Sequence, residues 1–175
     1  MSQSSFDATD RYLFSLAQIQ HLMRVEFNRA QRYRYPISCM LMSVDRLGHL
    51  RDLYGYDSKE EILEAAISLL KAETRSSDFL GRLADDRLLA VVPHTGQVGG
   101  RILSARLLDG IRKIDFQCDG RTIPITMSVG LAYDDDGDSL FFDSMLELAE
   151  EALADANEAG GGRFVVRGPG EISAS

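Results

Sequence analysis

Phe79-Leu-Gly-Arg-Leu-Ala-Asp-Asp-Arg-Leu-Leu-Ala-Val-Val-Pro93 is the stretch whose reading decides the fold. Two apolar runs, Phe79–Leu83 and Leu88–Val92, flank the tight polar segment Ala84-Asp85-Asp86-Arg87. Apolar strands around a short polar turn predict a β-hairpin. Upstream, Ile37–Asp45 (ISCMLMSVD) is nearly continuous in apolar residues and reads as a central strand. A short helical piece over Arg46–Tyr54 follows it, punctuated by Gly55. Ser58-Lys-Glu-Glu61 has the form of a capping box, so a helix is expected from there to about Thr74, buried through Ile62, Ala66, Leu69 and Leu70.

Further out, Leu16, Ile19, Met23, Phe27 and Ala30 recur at spacings of three and four, predicting a helix from about Asp10 to Arg34 that Pro36 ends. Val98, Ile102, Ala105 and Leu108 mark another, to about Lys113. A second hairpin is expected from Ile114–Cys118 and Ile123–Tyr133 around Asp119-Gly120. Asp143–Ala159 reads as the last helix, buried through Met145, Ala149, Ala152, Leu153 and Ala156, and Arg163–Arg167 as a final strand. Residues 1–9 and 169–175 are polar and expected to be loose, leaving 10–168 as one domain. Helices alternating with hairpin-paired strands predict an α+β fold: a mostly antiparallel central sheet flanked by helices.

With 175 residues, 45% of them hydrophobic, the chain can bury a sizeable core. The net charge of −8 argues against broad nucleic-acid binding, which needs a basic face. Cys39 and Cys118 form no CxxC pair and read as buried free thiols of a reducing compartment. His21, His49 and His94 are scattered without metal-ligand spacing. No apolar run reaches membrane-spanning length and no signal-peptide core opens the chain, so a cytoplasmic location without membrane attachment is expected. The acidic run Asp134–Asp138 lacks the EF-hand glycine and terminal glutamate and reads as a solvated loop. Gly160-Gly-Gly162 follows a helix instead of opening one, which suits a C-cap and a flexible turn.

The order of elements, together with Ser43-Val-Asp45, Tyr54-Gly55, Arg75-Ser-Ser-Asp78, Arg82-Leu-Ala-Asp-Asp-Arg-Leu88, Pro93, Met127-Ser-Val-Gly-Leu-Ala132 and Ala149-Glu-Glu-Ala-Leu153, resembles the GGDEF (diguanylate cyclase) domain family. The register holds from about Arg32 to Val165, although the family's opening DxLTGLxNR motif is not recognisable. The resemblance implies a palm-like fold related to nucleotide cyclases. In active relatives two acids hold divalent metals on the GTP triphosphate. Here the first falls at Ser43 and the second at Asp86. The paired glycines of the signature turn become Ala84 and Asp85, and its glutamate becomes Arg87. The guanine-reading asparagine becomes Arg51, its acidic partner Glu60, and the phosphate-gripping lysine and arginine fall on Asn157 and Gly161. Asp45 occupies an acidic position that the family uses structurally. The expectation is a domain without cyclase activity, catalytic residues, bound metal or cofactor.

The resemblance also implies an inhibitory-type product site: an RxxD motif a fixed distance before the signature turn, here Arg75 and Asp78, completed by a helical arginine, here Arg106. Arginine forks suit guanine O6 and N7 or a phosphate, and a carboxylate accepts from the guanine N1–H and N2–H edge. Cyclic di-GMP is then the expected partner, bridging two copies of the domain or docking a protein surface. Taken on their own, Arg75 and Asp78 also fit a surface i,i+3 ion pair. The alternatives are a pseudo-enzyme scaffold that binds protein and no nucleotide, and a residual cyclase using Asp86.

Overall fold

The computed structural model describes residues 13–136 and 141–169. The expected loose ends at 1–9 and 170–175, the expected helix start at Asp10 and the far end of the acidic run lie outside those residues.

The elements are α1 (Leu16–Tyr33), β1 (Ile37–Val44), α2 (Leu47–Tyr54), α3 (Tyr56–Glu73), β2 (Phe79–Arg82), β3 (Leu88–Pro93), α4 (Gln97–Arg112), β4 (Phe116–Cys118), β5 (Arg121–Ile123), β6 (Met127–Asp134), α5 (Phe142–Glu158) and β7 (Phe164–Arg167). Five strands form one sheet in the order β2-β3-β1-β6-β7. Its pairings are antiparallel except β6–β7, which is parallel. β1 occupies the centre because its residues are apolar on both faces. Met40, Met42 and Val44 enter the core shared with α3 and α4, whereas Ile37, Cys39 and Leu41 enter the core shared with α1 and α5. Burial pushes the Cys39 thiol up to about 12, which keeps it protonated and unreactive.

Several local expectations are corrected. Residues 13–15 precede the first helix: Phe14 makes a parallel bridge to Gly81, and Ser15 with Gln18 forms the capping box that starts α1. Ser58 caps nothing; α3 already begins at Tyr56 behind Gly55 (φ +95°), and the Ser58 hydroxyl donates to the Tyr54 carbonyl at 3.0 Å. The left-handed turn at Gly55 lets α2 run almost directly into α3, so no side-chain cap is formed there.

The second hairpin is shorter than expected. β4 and β5 form their own two-stranded sheet, and β6 starts afresh beyond Pro124, whose missing N–H cannot extend a ladder. In α4 the buried face is Leu103, Leu107, Leu108 and Ile111, while Val98 and Ile102 are exposed. Cys118 is only partly buried. The acidic run is not wholly solvated either: Asp134 ends β6 and is buried, and Asp135 accepts from the Gln97 amide at 2.7 Å, capping α4.

α5 lies so close to β6 that a Cβ on Gly130 would meet the Ala149 carbonyl oxygen at 2.1 Å and the Leu153 nitrogen at 2.5 Å. These are backbone atoms of a packed helix and cannot swing aside. Gly130→Ala is therefore expected to destabilise the domain by about 2–3 kcal/mol or more, read as a lower urea midpoint.

Candidate functional site

The β2–β3 hairpin carries features at both ends. Phe79 pairs with Val91 and Arg82 with Leu88. Its closed end is the turn Ala84-Asp85-Asp86-Arg87. The Leu83 amide donates to the Arg87 carbonyl at 2.9 Å and the Asp86 amide to the Leu83 carbonyl at 3.0 Å. Asp86 adopts φ +68°, a left-handed conformation that aspartate tolerates better than most residues. Asp85 is turned onto Arg87, whose Nε donates to it at 2.7 Å. Ala84 and Asp85 are exposed.

Asp86 is held by two cations. Lys59 Nζ lies 2.6 Å from one carboxylate oxygen, and Arg82 Nη2 donates to the other at 2.8 Å. The same Arg82 nitrogen reaches Glu60 at 3.2 Å. Burial alone would raise the Asp86 pKa, but the hydrogen bonds and charges of Lys59 and Arg82 outweigh it and hold the carboxyl below its ordinary range. Arg82 is in turn held more firmly protonated, chiefly by its bond to Asp86. Glu60, at the position expected for guanine reading, is thus engaged by Arg82. Arg51 points elsewhere: it is exposed on α2 and meets only its neighbour Asp52, at 3.4 Å, among the ion pairs of the described residues. Lys59 went unnoticed in the sequence because Ser58–Glu61 reads as a helix start. Its register against a turn some 27 residues away exists only in the folded chain.

Ser43 lies opposite Ser128 on the sheet, one residue from the end of β1. Asn157 and Gly161 face a separate cavity with Asp45, Arg46 and His49. Asp45 serves the fold there. Its carboxylate accepts from Thr126 Oγ1 at 2.7 Å, Ser128 Oγ at 2.7 Å and the Gly162 amide at 2.8 Å. A Cβ on Gly161 (φ +75°) would stand 2.9 Å from that carboxylate, so the glycine is required on two counts. The glycine turn expected to be flexible is therefore tied to the end of β1.

At the open end of the hairpin, Arg75, Asp78 and Arg106 line one cavity of about 330 Å³ with Glu73, His94, Ile102 and Leu103. The turn between α3 and β2 is fixed by Asp78 itself: its carboxylate accepts from the Arg75 backbone amide at 2.8 Å. Asp78 is buried, so this bond to the backbone is an internal one and not a surface contact. Arg106 comes within 2.9 Å of Glu73, close enough for an ion pair but without hydrogen-bond alignment. Glu73, Lys59 and His94 are the site residues that the sequence reading missed.

Asp86→Asn would take the nearest anionic partner from both cations, leaving them only their longer contacts to Glu60. At neutral pH it should cost about 1–3 kcal/mol, because two partly buried positive charges lose their nearest compensation. A depressed carboxylate stabilises the fold above its unfolded-state pKa, near 3.8, and that stabilisation is lost as pH falls through the lower folded-state value. The stability gap between wild type and variant in urea melts should therefore be full at pH 7 and narrow as pH drops below about 4.

The chain matches the family model described as "Diguanylate cyclase, GGDEF domain" over residues 12–163. It is 24% identical over 156 residues to diguanylate cyclase A of Treponema denticola, covering 89% of this chain and 41% of that protein. It is 26% identical over 145 residues to diguanylate cyclase DgcP of Pseudomonas aeruginosa, covering 82% of this chain and 21% of that one. The chain thus spans well under half the length of these relatives. Among solved structures, the active GGEEF domain of a diguanylate cyclase from Vibrio cholerae superposes with a TM-score of 0.80 at 21% identity, over 89% of this chain and 97% of that one. The GGDEF domain of DgcB from Caulobacter crescentus, solved in complex with c-di-GMP, superposes with a TM-score of 0.76 at 14% identity, over 95% and 96%. With the family model covering most of its length and this fold, the chain belongs to the GGDEF domain family.

Proposed function

We propose that this domain is a receptor for cyclic di-GMP and does not synthesise it. One observation carries the receptor half: Arg106, on a different helix far along the chain, shares a single cavity with Arg75 and Asp78. Two guanidinium groups and a carboxylate match the hydrogen-bonding edges of guanine and the charge of a cyclic phosphate. A volume of about 330 Å³ is at the small end of ligand pockets and suits a base with its phosphate better than a whole dinucleotide. The rest of the ligand then projects from the surface, where a second copy or a protein can meet it. The c-di-GMP complex of the Caulobacter DgcB domain supports this ligand class by likeness of fold.

The state of Asp86 supports the inactive half. Both of its oxygens already carry a cation, Lys59 at 2.6 Å and Arg82 at 2.8 Å. The nearest family equivalent of a second acid is Ser43, a neutral hydroxyl. These residues do not fit a divalent metal, which needs free anionic oxygens, and Asn157 and Gly161 offer no cation to a triphosphate.

Calorimetry with cyclic di-GMP tests the receptor reading: heat of binding is expected, weakened at least about ten-fold by Arg75→Ala. Absence of heat, or full affinity in that variant, removes it. Glu73→Gln should tighten binding about two- to five-fold, since Arg106 is released from a competing carboxylate that also lines the cavity. Incubation with GTP and Mg²⁺ or Mn²⁺ should yield no cyclic di-GMP; its accumulation would overturn the inactive half.

A second reading, a scaffold that binds protein and no nucleotide, is favoured by Val98 and Ile102, which stand 73% and 54% exposed on α4 beside the cavity. It predicts that no guanine nucleotide raises the melting temperature.

A further inference from the structure

The hairpin register brings a further side chain to the cavity. Because Phe79 pairs with Val91, the chain leaving β3 after Pro93 passes the turn that carries Arg75 and Asp78. The first residue out is His94, at φ +61°, a left-handed conformation uncommon for a residue with a side chain. The backbone on both sides is clamped. The His94 amide donates to the Pro36 carbonyl at 2.8 Å, and Ser38 Oγ donates to the Thr95 carbonyl at 2.7 Å. Asp135 fixes the next turn through the Gln97 amide. His94 is exposed nonetheless and lines the cavity with Arg75, Asp78 and Arg106.

Its ring is also fixed. The imidazole stacks on Tyr35 with ring centroids 3.9 Å apart and planes 30° from parallel. Tyr35 is anchored in turn, its hydroxyl donating to Glu26 Oε1 at 2.6 Å. Burial first, and then this carboxylate, push the Tyr35 phenol up, so it stays a donor at any ordinary pH. The column Glu26–Tyr35–His94 thus holds a flat aromatic ring by one face at the rim of a polar cavity. A polar residue that served the left-handed turn alone would need none of this support.

We infer that His94 is a ligand-contacting residue whose imidazole, backed by Tyr35, is the stacking platform for a guanine base held by Arg75, Asp78 and Arg106. The inference rests on the receptor reading above and adds the element that the arginines and carboxylate lack, a planar surface for the purine face. Bases stack on histidine as on other aromatic side chains, with little demand on base identity. The hydrogen-bonding groups select guanine, and His94 adds affinity.

The test is His94→Asn, because asparagine tolerates the left-handed backbone and removes only the ring. Calorimetry with cyclic di-GMP on wild type, His94→Asn and Arg75→Ala should give a Kd raised about five- to a hundred-fold in His94→Asn, with its ligand-free urea midpoint close to wild type. In wild type, the His94 Hδ2 and Hε1 resonances should shift upfield as ligand is added, from the ring current of the stacked purine. Binding in wild type with unchanged affinity in His94→Asn overturns this inference and leaves the receptor reading standing. Weakened binding without the ring-current shift also overturns it, since His94 would then act only by positioning. Absence of binding in wild type removes both readings. Weakened binding with the shift, alongside the loss in Arg75→Ala, establishes the platform.

Discussion

Phe79 faces Val91 and Arg82 faces Leu88, and the places of the functional features follow from that antiparallel pairing. β2 is only four residues long, a span of about 13 Å. The Arg75–Asp78 turn enters at one end and the Ala84–Arg87 turn leaves at the other. The hairpin is pinned by β3 pairing with the central strand β1, so neither end can slip by a residue without turning Leu88, Ala90 and Val92 out of their core. Separation of the cavity from the Ala84–Arg87 turn is therefore a property of the sheet.

Charge is treated differently at the two ends. At the closed end, every strong charge near Asp86 has a partner inside the protein: Lys59, Arg82 and Glu60 form a closed network around it. Such a network stabilises the local fold and leaves little unsatisfied potential for an incoming ion. At the open end, Arg106 is mostly exposed, and its contact with Glu73 lacks hydrogen-bond alignment. Arg106 projects toward solvent while the Glu73 oxygen it meets is buried without a hydrogen bond, so this contact is less well satisfied than those at Asp86. Arg75 and Arg106 are thus gathered at one cavity, balanced there by Glu73 and Asp78, in a chain whose net charge is −8.

The wall that carries His94 and Arg106 owes its shape to α4 and β1. Gly100 allows α4 to settle on Leu131 and Ser38, where a Cβ would come within 2.9 Å of Leu131. Ser38, buried on β1, then reaches the Thr95 carbonyl. That contact, Asp135 on the Gln97 amide and the Pro36 carbonyl on the His94 amide make the approach to α4 rigid. Tyr35 joins this wall to α1 through Glu26, so the position of α1 and the geometry of the cavity are mechanically linked.

The strands, the five helices and the first hairpin were legible from periodicity and turn chemistry, because burial on a sheet or helix face imprints a local pattern. Asp45 was legible as a structural acid; Arg75, Asp78 and Arg106 were singled out through their likeness to a family motif, and the fold brings them to one cavity. The start of α1, the false cap at Ser58 and the exposed face of α4 were misread, since a capping pattern or an apolar spacing is equally local whether or not the tertiary packing uses it. Lys59 on Asp86, Glu73 on Arg106 and the Tyr35–His94 stack were beyond any sequence reading. Each joins residues whose separation along the chain carries no periodic signal, and only the register of β2 on β3 and the packing of α3, α4 and the α1–β1 turn against that sheet bring them within bonding distance.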